Sequence, residues 1–190
     1  MKKLLWGMIL VLAQSACSTA PLPEDHYYRL EIIPAAPQRV DASITVQTLV
    51  ASGVYNERPL LYSTAQAPTE LRQYHYHYWA DMPARMIREQ LTAYLRAAQA
   101  PTVGAQAAHD YQLSGTVLRF EQRLDGSDAT AIVAIELVLR RSADAKVVWR
   151  KTYRAEIRSR DNSPLAASQG LSQALGSCFA EFVSDLRRVN

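Results

Sequence analysis

The apolar and polar residues in the first half of the chain alternate in short stretches, a pattern typical of β-strands. Residues 27–33 and 43–50 are both rich in β-prone side chains. The residues of the second stretch expected to point inward are Ile44, Val46 and either Leu49 or Val50. Residues 60–63 and 72–79 flank the turn-prone stretch 65–69, which predicts a β-hairpin with a loose tip. This half of the chain therefore predicts four strands.

A helical repeat follows the hairpin. Asp81 is suited to cap a helix, and Pro83 fits its first turn, where a missing N–H has no cost. The apolar residues that recur at helical spacing are Met86, Ile87, Leu91, Tyr94, Leu95 and Ala98. Pro101 and Gly104 are expected to end this amphipathic helix.

Three longer β-prone stretches follow, at residues 111–122, 130–140 and 147–158. Asp125-Gly126 and residues 142–145 separate them, so an antiparallel meander is the simplest topology. The inward face of the middle stretch is expected to carry Ala131, Val133, Ile135, Leu137 and Leu139, and that of the last Val147, Trp149, Tyr153, Ala155 and Ile157.

A second helix is predicted to cover this face. Residues 161–163 offer capping side chains, and Pro164 suits the first helical position. Its apolar stripe consists of Leu171, Leu175, Cys178, Phe179, Phe182, Val183 and Leu186. Gly170 and Gly176 inside it suggest a close backbone approach. The predicted fold is α+β, a mostly antiparallel sheet with two amphipathic helices packed on one face, in the order β-β-β-β-α-β-β-β-α.

The N-terminus has the features of a secretory leader. Lys2 and Lys3 precede an uncharged apolar run at residues 4–13, which is too short to span a bilayer. The following Gln14-Ser15-Ala16-Cys17 resembles the lipobox of bacterial lipoproteins, although Gln14 replaces the usual aliphatic residue. This predicts a signal peptide at 1–16, a lipidated Cys17 with a tether at 17–26, and one domain at 27–190. Ordinary signal cleavage after Ser15 or Ala16 is the alternative.

Composition excludes several function classes. Without Lys2 and Lys3, 19 of the 21 basic residues remain against 18 acidic ones, which argues against a nucleic-acid-binding face. The second cysteine, Cys178, lies in an apolar helical stripe and is expected to be an inert buried thiol. The sequence contains no Walker loop, G-x-G-x-x-G, H-E-x-x-H, C-x-x-C or G-x-S-x-G motif, so nothing in it supports an enzyme or a non-lipid cofactor.

Alternating aromatic residues at 74–79 form the most conspicuous candidate site. In a regular strand, Tyr74, Tyr76 and Tyr78 would share one face, and the other would carry His75, His77 and Trp79. Two histidines are too few for a stable zinc site, so no metal is predicted. Structural packing and a partner surface remain equally open, since aromatic side chains with polar tips suit half-wet contacts.

The last long strand also carries a concentration of basic residues, namely Arg150, Lys151, Arg154, Arg158 and Arg160. Such a face could meet anionic lipid headgroups or an acidic partner. A solvated outer face that discourages edge-to-edge pairing is the favoured alternative.

Several short motifs together resemble one family. Besides the lipobox they are Tyr27-Tyr28-Arg29-Leu30, Pro59-Leu60-Leu61-Tyr62, Tyr76-His77-Tyr78-Trp79-Ala80-Asp81, and Tyr111-Gln112-Leu113 with Phe120. This arrangement is similar to the ABC-type transport auxiliary lipoproteins, the PqiC-like family, over essentially the whole mature chain. The family usually reads Trp-Ala-Glu-Pro-Leu where this chain has Trp79-Ala80-Asp81-Met82-Pro83, so its helix is expected to start at a shifted position.

The resemblance implies a non-catalytic lipoprotein on the periplasmic face of the outer membrane. Its expected partner is an MCE-domain conduit protein that works with a permease and an ATPase to move lipids between two membranes. The residues expected to contact that partner are Tyr62, Tyr74, Tyr76, Tyr78 and Trp79. A structural or assembly lipoprotein unrelated to an ABC system is the main alternative, and an envelope hydrolase is a third. Assembly of several copies into a ring around a conduit would be geometrically natural, but the sequence does not specify it.

Overall fold

The computed structural model describes residues 23–33, 40, 42–98 and 109–189. The predicted leader, Cys17 and the first part of the tether lie outside the described residues. So do Pro101 and Gly104, which were expected to end the first helix.

One eight-stranded sheet forms the framework. Its strands are β1 (His26–Tyr28), β2 (Ile44–Val46), β3 (Val50–Ala51), β4 (Pro59–Thr64), β5 (Ala67–Trp79), β6 (Tyr111–Asp125), β7 (Asp128–Arg141) and β8 (Val147–Arg158). The strand order is β1-β5-β4-β6-β7-β8, and β2 and β3 pair with β6 on the same side as β4. The long strand β6 therefore joins the two halves of the chain.

The first half differs in detail from the prediction, because its described residues form five strands rather than four. Residues 27–33 contribute only the short parallel strand β1, and 43–50 divide into β2 and β3 along the edge of β6. Leu49 points inward and is 3% exposed, whereas Val50 is 55% exposed. The hairpin of β4 and β5 is confirmed, but its tip is a tight turn at residues 65–66.

The second half follows the prediction closely. Strands β6, β7 and β8 form the expected antiparallel meander, with Gly126 in a left-handed conformation at the first turn. All five residues predicted to line the inner face of β7 are buried. In β8, Tyr153 is fully buried. The prediction that Val147 points inward was wrong: a register shift places it opposite Arg140, where it is 37% exposed, and Val148 packs against the core instead.

The first helix, α1 (Pro83–Ala97), has its six predicted apolar positions buried, including Ala98 just beyond its end. Its cap differs from the prediction, since Met82 occupies the N-cap position and no side chain caps the helix. Asp81 lies one residue earlier; its carboxylate accepts the Met82 amide at 2.7 Å and pairs with Arg85 at 2.9 Å. The prediction that Asp81 is the cap was therefore wrong, because Pro83 sets the first turn one residue later.

The second helix, α2 (Pro164–Val189), covers β6, β7 and β8. Ser163 caps it, its Oγ accepting the Ala166 amide at 3.2 Å, and the whole predicted apolar stripe is buried. At Gly170 an added Cβ would lie 2.8 Å from the Ala131 Cβ, so this glycine allows the helix to approach β7. Around Gly176 the packing is looser, because a Cβ added there would lie 3.3 Å from its nearest neighbour, the Ile32 Cγ2 atom.

A buried carboxylate ties α2 to β8. Asp185 is 4% exposed; its Oδ2 accepts hydrogen bonds from Lys151 Nζ at 2.8 Å and from Tyr153 Oη at 3.1 Å. Burial opposes ionisation of Asp185, but these hydrogen bonds and the charges of Lys151 and Arg188 outweigh it and lower its pKa. The network thus favours the ionised carboxylate in the folded protein.

Replacing Asp185 by Asn is expected to lower the free energy of unfolding at neutral pH by about 2 kcal/mol, because charged hydrogen bonds are lost. A lowered pKa stabilises the fold above the ordinary carboxyl pKa, so this advantage should disappear as the pH falls through the folded-state pKa. Urea unfolding at several pH values measures both effects. The control is Glu181→Gln, since Glu181 contacts Lys151 at 2.7 Å but is half exposed and should contribute below about 1 kcal/mol. A pH-independent difference between wild type and Asp185→Asn would contradict this assignment.

Candidate partner-binding site

Strand β1 and the end of β5 run in parallel at one edge of the sheet, and we call residues 26–28 and 74–79 the aromatic edge. In register, His26 lies opposite His77 and Tyr27 opposite Tyr78. The Tyr28 carbonyl accepts the Ala80 amide at 2.7 Å. Residues that are far apart in sequence thus form one surface.

Stacked rings hold this edge together. The His26 and His77 rings stack with centroids 4.8 Å apart, and the Tyr28 hydroxyl is hydrogen-bonded to His77 Nδ1 at 2.9 Å. Burial and the neighbouring His26 lower the pKa of His77, which favours the neutral imidazole. The pair therefore serves to pack β1 onto β5.

The tyrosines do not form the single row that strict alternation predicts. Tyr76 has a positive φ of 63°, and the pairing of β4 with β5 shifts register between Pro59 and Leu61. A bulge of this kind turns the following side chains to the other face. As a result the rings of Tyr74 and His77 meet edge to face, with their centroids 6.4 Å apart, although the sequence pattern places them on opposite faces.

The structure places the five predicted contact residues in three different environments. Tyr74 is half-buried, and its ring centroid lies 4.6 Å from that of Tyr62. Its hydroxyl donates a hydrogen bond to Gln122 Oε1 at 2.6 Å. Tyr76 is exposed at 44%, and Tyr78 is half-buried. Trp79 is only 1% exposed, and its ring packs on that of Phe120 with the centroids 5.1 Å apart, so we reassign it from the partner surface to the core.

Sequence reasoning did not select Tyr27, which is 56% exposed. Its ring lies 5.9 Å from Tyr78 and 5.3 Å beneath the Arg58 guanidinium. The signal was present in the motif Tyr27-Tyr28-Arg29-Leu30, but only the parallel pairing with β5 brings this motif beside Tyr78.

An open groove of about 1150 Å³ continues from the aromatic edge between residues 27–33 and α2. Its apolar lining includes Ile33, 85% exposed, and Leu165, 46% exposed. The Glu31 amide donates to Ser172 Oγ at 3.2 Å and fixes one wall to the helix. The site is thus an exposed aromatic surface continuous with a half-apolar groove.

The described residues carry no cluster of metal ligands, and their one cysteine is buried. Within 23–33, 40, 42–98 and 109–189, no group of three or more His, Cys, Asp or Glu side chains could hold a metal ion. Cys178 is buried, and burial together with the charge of Glu181 raises its pKa to about 12, so the thiol stays protonated. Its predicted burial in the apolar stripe of α2 is confirmed.

Comparison with known proteins decides the family. Residues 28–182 match the family of ABC-type transport auxiliary lipoprotein components. The chain belongs to this family. The auxiliary lipoprotein shares its fold with the crystal structure of protein XCC0632 from Xanthomonas campestris, with a TM-score of 0.70 and 24% identity over 83% of this chain and 92% of that one. A second solved structure, of an uncharacterized protein, gives a TM-score of 0.71 and 16% identity over 86% of this chain and 99% of that one.

No curated protein shows significant sequence similarity to this auxiliary lipoprotein. The family indicates a membrane-anchored lipoprotein on the periplasmic side that is an auxiliary component of ABC-type transport. In the part of the auxiliary lipoprotein that the structure describes, neither helix is long and apolar enough to cross a bilayer.

Proposed function

We propose that this auxiliary lipoprotein is anchored through Cys17 to the periplasmic face of the outer membrane and binds an MCE-domain conduit protein through its aromatic edge. It performs no catalysis and supplies a fixed docking point for the far end of the conduit. The observation that carries the proposal is the exposure of Tyr27 and Tyr76 on a sheet edge, in a family that assists ABC transport.

The surface has the features of a protein-binding site. Tyrosine side chains bury large apolar areas with few rotatable bonds and keep a hydroxyl for hydrogen bonding, so they are enriched at the centres of interfaces. The stacked His26 and His77 rings hold the backbone beneath Tyr27 and Tyr78 in place before binding, which lowers the ordering cost of association.

The anchor suits this role because it makes the encounter local. Residues 18–25 between Cys17 and β1 can extend to about 27 Å at ~3.4 Å per residue. Confinement within that distance raises the effective concentration of the aromatic edge near any conduit that reaches the membrane. β1 itself belongs to the aromatic edge, so the tether would deliver this surface first.

Replacing Tyr76 and Tyr78 together by Ala should reduce recovery of the conduit protein with the auxiliary lipoprotein by about tenfold or more, since central tyrosines dominate interface energies. Co-purification from cross-linked cells measures the effect, and a thermal melt checks that the variant folds.

The matched control is Val147→Ala, because Val147 is an exposed apolar residue on β8, at the opposite edge of the sheet. It should leave recovery unchanged. Full recovery with the folded double tyrosine variant would reject the assignment of the aromatic edge. Recovery of an outer-membrane barrel protein in place of the conduit would favour the alternative of an assembly lipoprotein.

A further inference from the structure

The face of β6, β7 and β8 that points away from both helices carries the remaining charged side chains of these strands. On β7, Ile135 and Leu137 belong to the core beneath the helices, while Ala134, Glu136 and Val138 point the opposite way. We call this second surface the outer face. It lies on the side of the sheet opposite the core.

Arginines from β8 flank small residues of β7 on the outer face. Arg150 lies opposite Val138 and Arg154 opposite Ala134. Both arginines are exposed, whereas Ala134 is 2% and Val138 7% exposed. The aliphatic stems of these arginines therefore cover the apolar floor, while their guanidinium groups stay in solvent.

The outer face has a neutral end and a cationic end. At the neutral end Arg123 pairs with Glu156 at 3.2 Å, and Arg158 pairs with Asp128 at 2.6 Å. From the middle of the strands to the other end, the side chains of Arg154, Arg150 and Arg140 have no ion-pair or hydrogen-bond partner among the described residues. Glu136 lies between Arg150 and Arg154 and reduces the local charge without cancelling it.

This distribution corrects the basic face expected from sequence. Lys151 points to the helix side, where it contacts Glu181 and Asp185, because neighbouring strand residues alternate between faces. Arg158 and Arg160 are paired with acidic residues. Of the five expected residues only Arg150 and Arg154 remain available, and Arg140 joins them from β7.

An exposed apolar side chain accompanies these arginines. Leu118 is the extra residue of a bulge in β6. Val117 before it faces the core, and Arg119 after it lies opposite Ala134 of β7. Leu118 itself is 38% exposed. Arginine next to a single large apolar side chain suits the boundary between phosphate headgroups and acyl chains.

We propose that the cationic end of the outer face docks on anionic phospholipid headgroups of a bilayer. The planar guanidinium groups of Arg140, Arg150 and Arg154 bind headgroup phosphates through paired hydrogen bonds, while Leu118 enters the interfacial layer. Each arginine close to an anionic bilayer contributes attraction that falls off within a Debye length. The choice of a bilayer rests on the proposed anchorage, since a tether of up to about 27 Å confines the whole domain to the membrane surface. Because β8 is at the edge opposite β1, the arginines reach the headgroups when the outer face lies along the bilayer.

The test uses the full mature lipoprotein reconstituted into vesicles, with a polarity-sensitive fluorophore attached through Thr152→Cys. Thr152 lies on the outer face opposite Glu136, and the buried Cys178 should not react. Vesicles of phosphatidylcholine alone are compared with vesicles that also contain phosphatidylglycerol. Docking should shift the emission to the blue and expose the probe to quenching by nitroxide-labelled lipid, only in the anionic vesicles and less at high salt.

Two variants set the sign of the effect. Arg150→Gln with Arg154→Gln should lower the ratio of docked to undocked protein by roughly thirtyfold, and Glu136→Gln should raise it. The probe placed instead through Ala93→Cys, on the exposed side of α1, should respond to neither lipid nor variant.

Equal quenching in neutral and anionic vesicles, or no change in the double glutamine variant, would overturn the proposal. If the double glutamine variant lost a protein partner in cells but kept its contact with anionic vesicles, the proposal would also be overturned, and the outer face would be assigned to an acidic protein. No conduit protein is present in the vesicles, so a negative result here leaves the co-purification test of the aromatic edge independent. If mass spectrometry finds no acyl chains, flotation of the unanchored protein with the same vesicles replaces reconstitution and also reports on the anchor.

Discussion

Replacing Cys17 by Ser is expected to abolish acylation and to remove the protein from the outer-membrane fraction. Each buried methylene contributes about 0.8 kcal/mol to membrane attachment, so several acyl chains give permanent anchoring and their loss is an all-or-none change. The unprocessed variant would retain the apolar run at residues 4–13 and fractionate with the inner membrane. Incorporation of labelled palmitate and density-gradient fractionation measure the two effects.

Cys178→Ser provides the control, because it changes the other cysteine of the chain. Cys178 is buried within α2 and its thiol is held in the protonated form, so this variant should be acylated and sorted like the wild type. A matured Cys17→Ser protein that still fractionates with the outer membrane would remove the basis for the proposed anchor.

Replacing Phe182 by Ala should lower the free energy of unfolding by about 3–5 kcal/mol, the range expected for a fully buried aromatic side chain. Phe182 is fully buried and meets the Tyr153 ring edge to face at 5.8 Å. Tyr153 in turn donates to Asp185, so the cavity would also loosen the polar contact between α2 and β8. Denaturant unfolding, followed by circular dichroism, measures the loss.

Leu165→Ala on the same helix is the matched control. Leu165 is 46% exposed on the groove side, so its truncation should change the free energy of unfolding by about 0.5 kcal/mol or less. If the two variants were equally stable, Phe182 would not be a central contact between the helix and the sheet.

The elements with a strong local period were predicted correctly from the sequence. The stripe of α2 and the inner face of β7 bury nearly the same residues that periodicity selects, because each packs one continuous face against the core. Strands β1, β2 and β3 were harder to predict, since they contain two or three residues each and exist only by pairing with β5 or β6. Short strands have no periodicity of their own to read.

The candidate site was predicted in composition but not in arrangement. The sequence pointed to the tyrosines of residues 74–79, yet the positive φ of Tyr76 breaks the alternation on which their shared face depended. Trp79 continues the same aromatic stretch but packs on Phe120 in the core. Tyr27 enters the site only because β1 pairs with β5 in parallel across many intervening residues.

The sequence by itself determined the α+β class, the two amphipathic helices, the meander and the motifs of the family, because these depend on local patterns of side chains. Only the tertiary structure decided which aromatic residues are exposed and which arginines lack a partner. Exposure and ion pairing depend on strand register and on the face that each strand presents to the helices. A single bulge, at Tyr76 or at Leu118, changes that face without any signal in the local hydrophobic pattern.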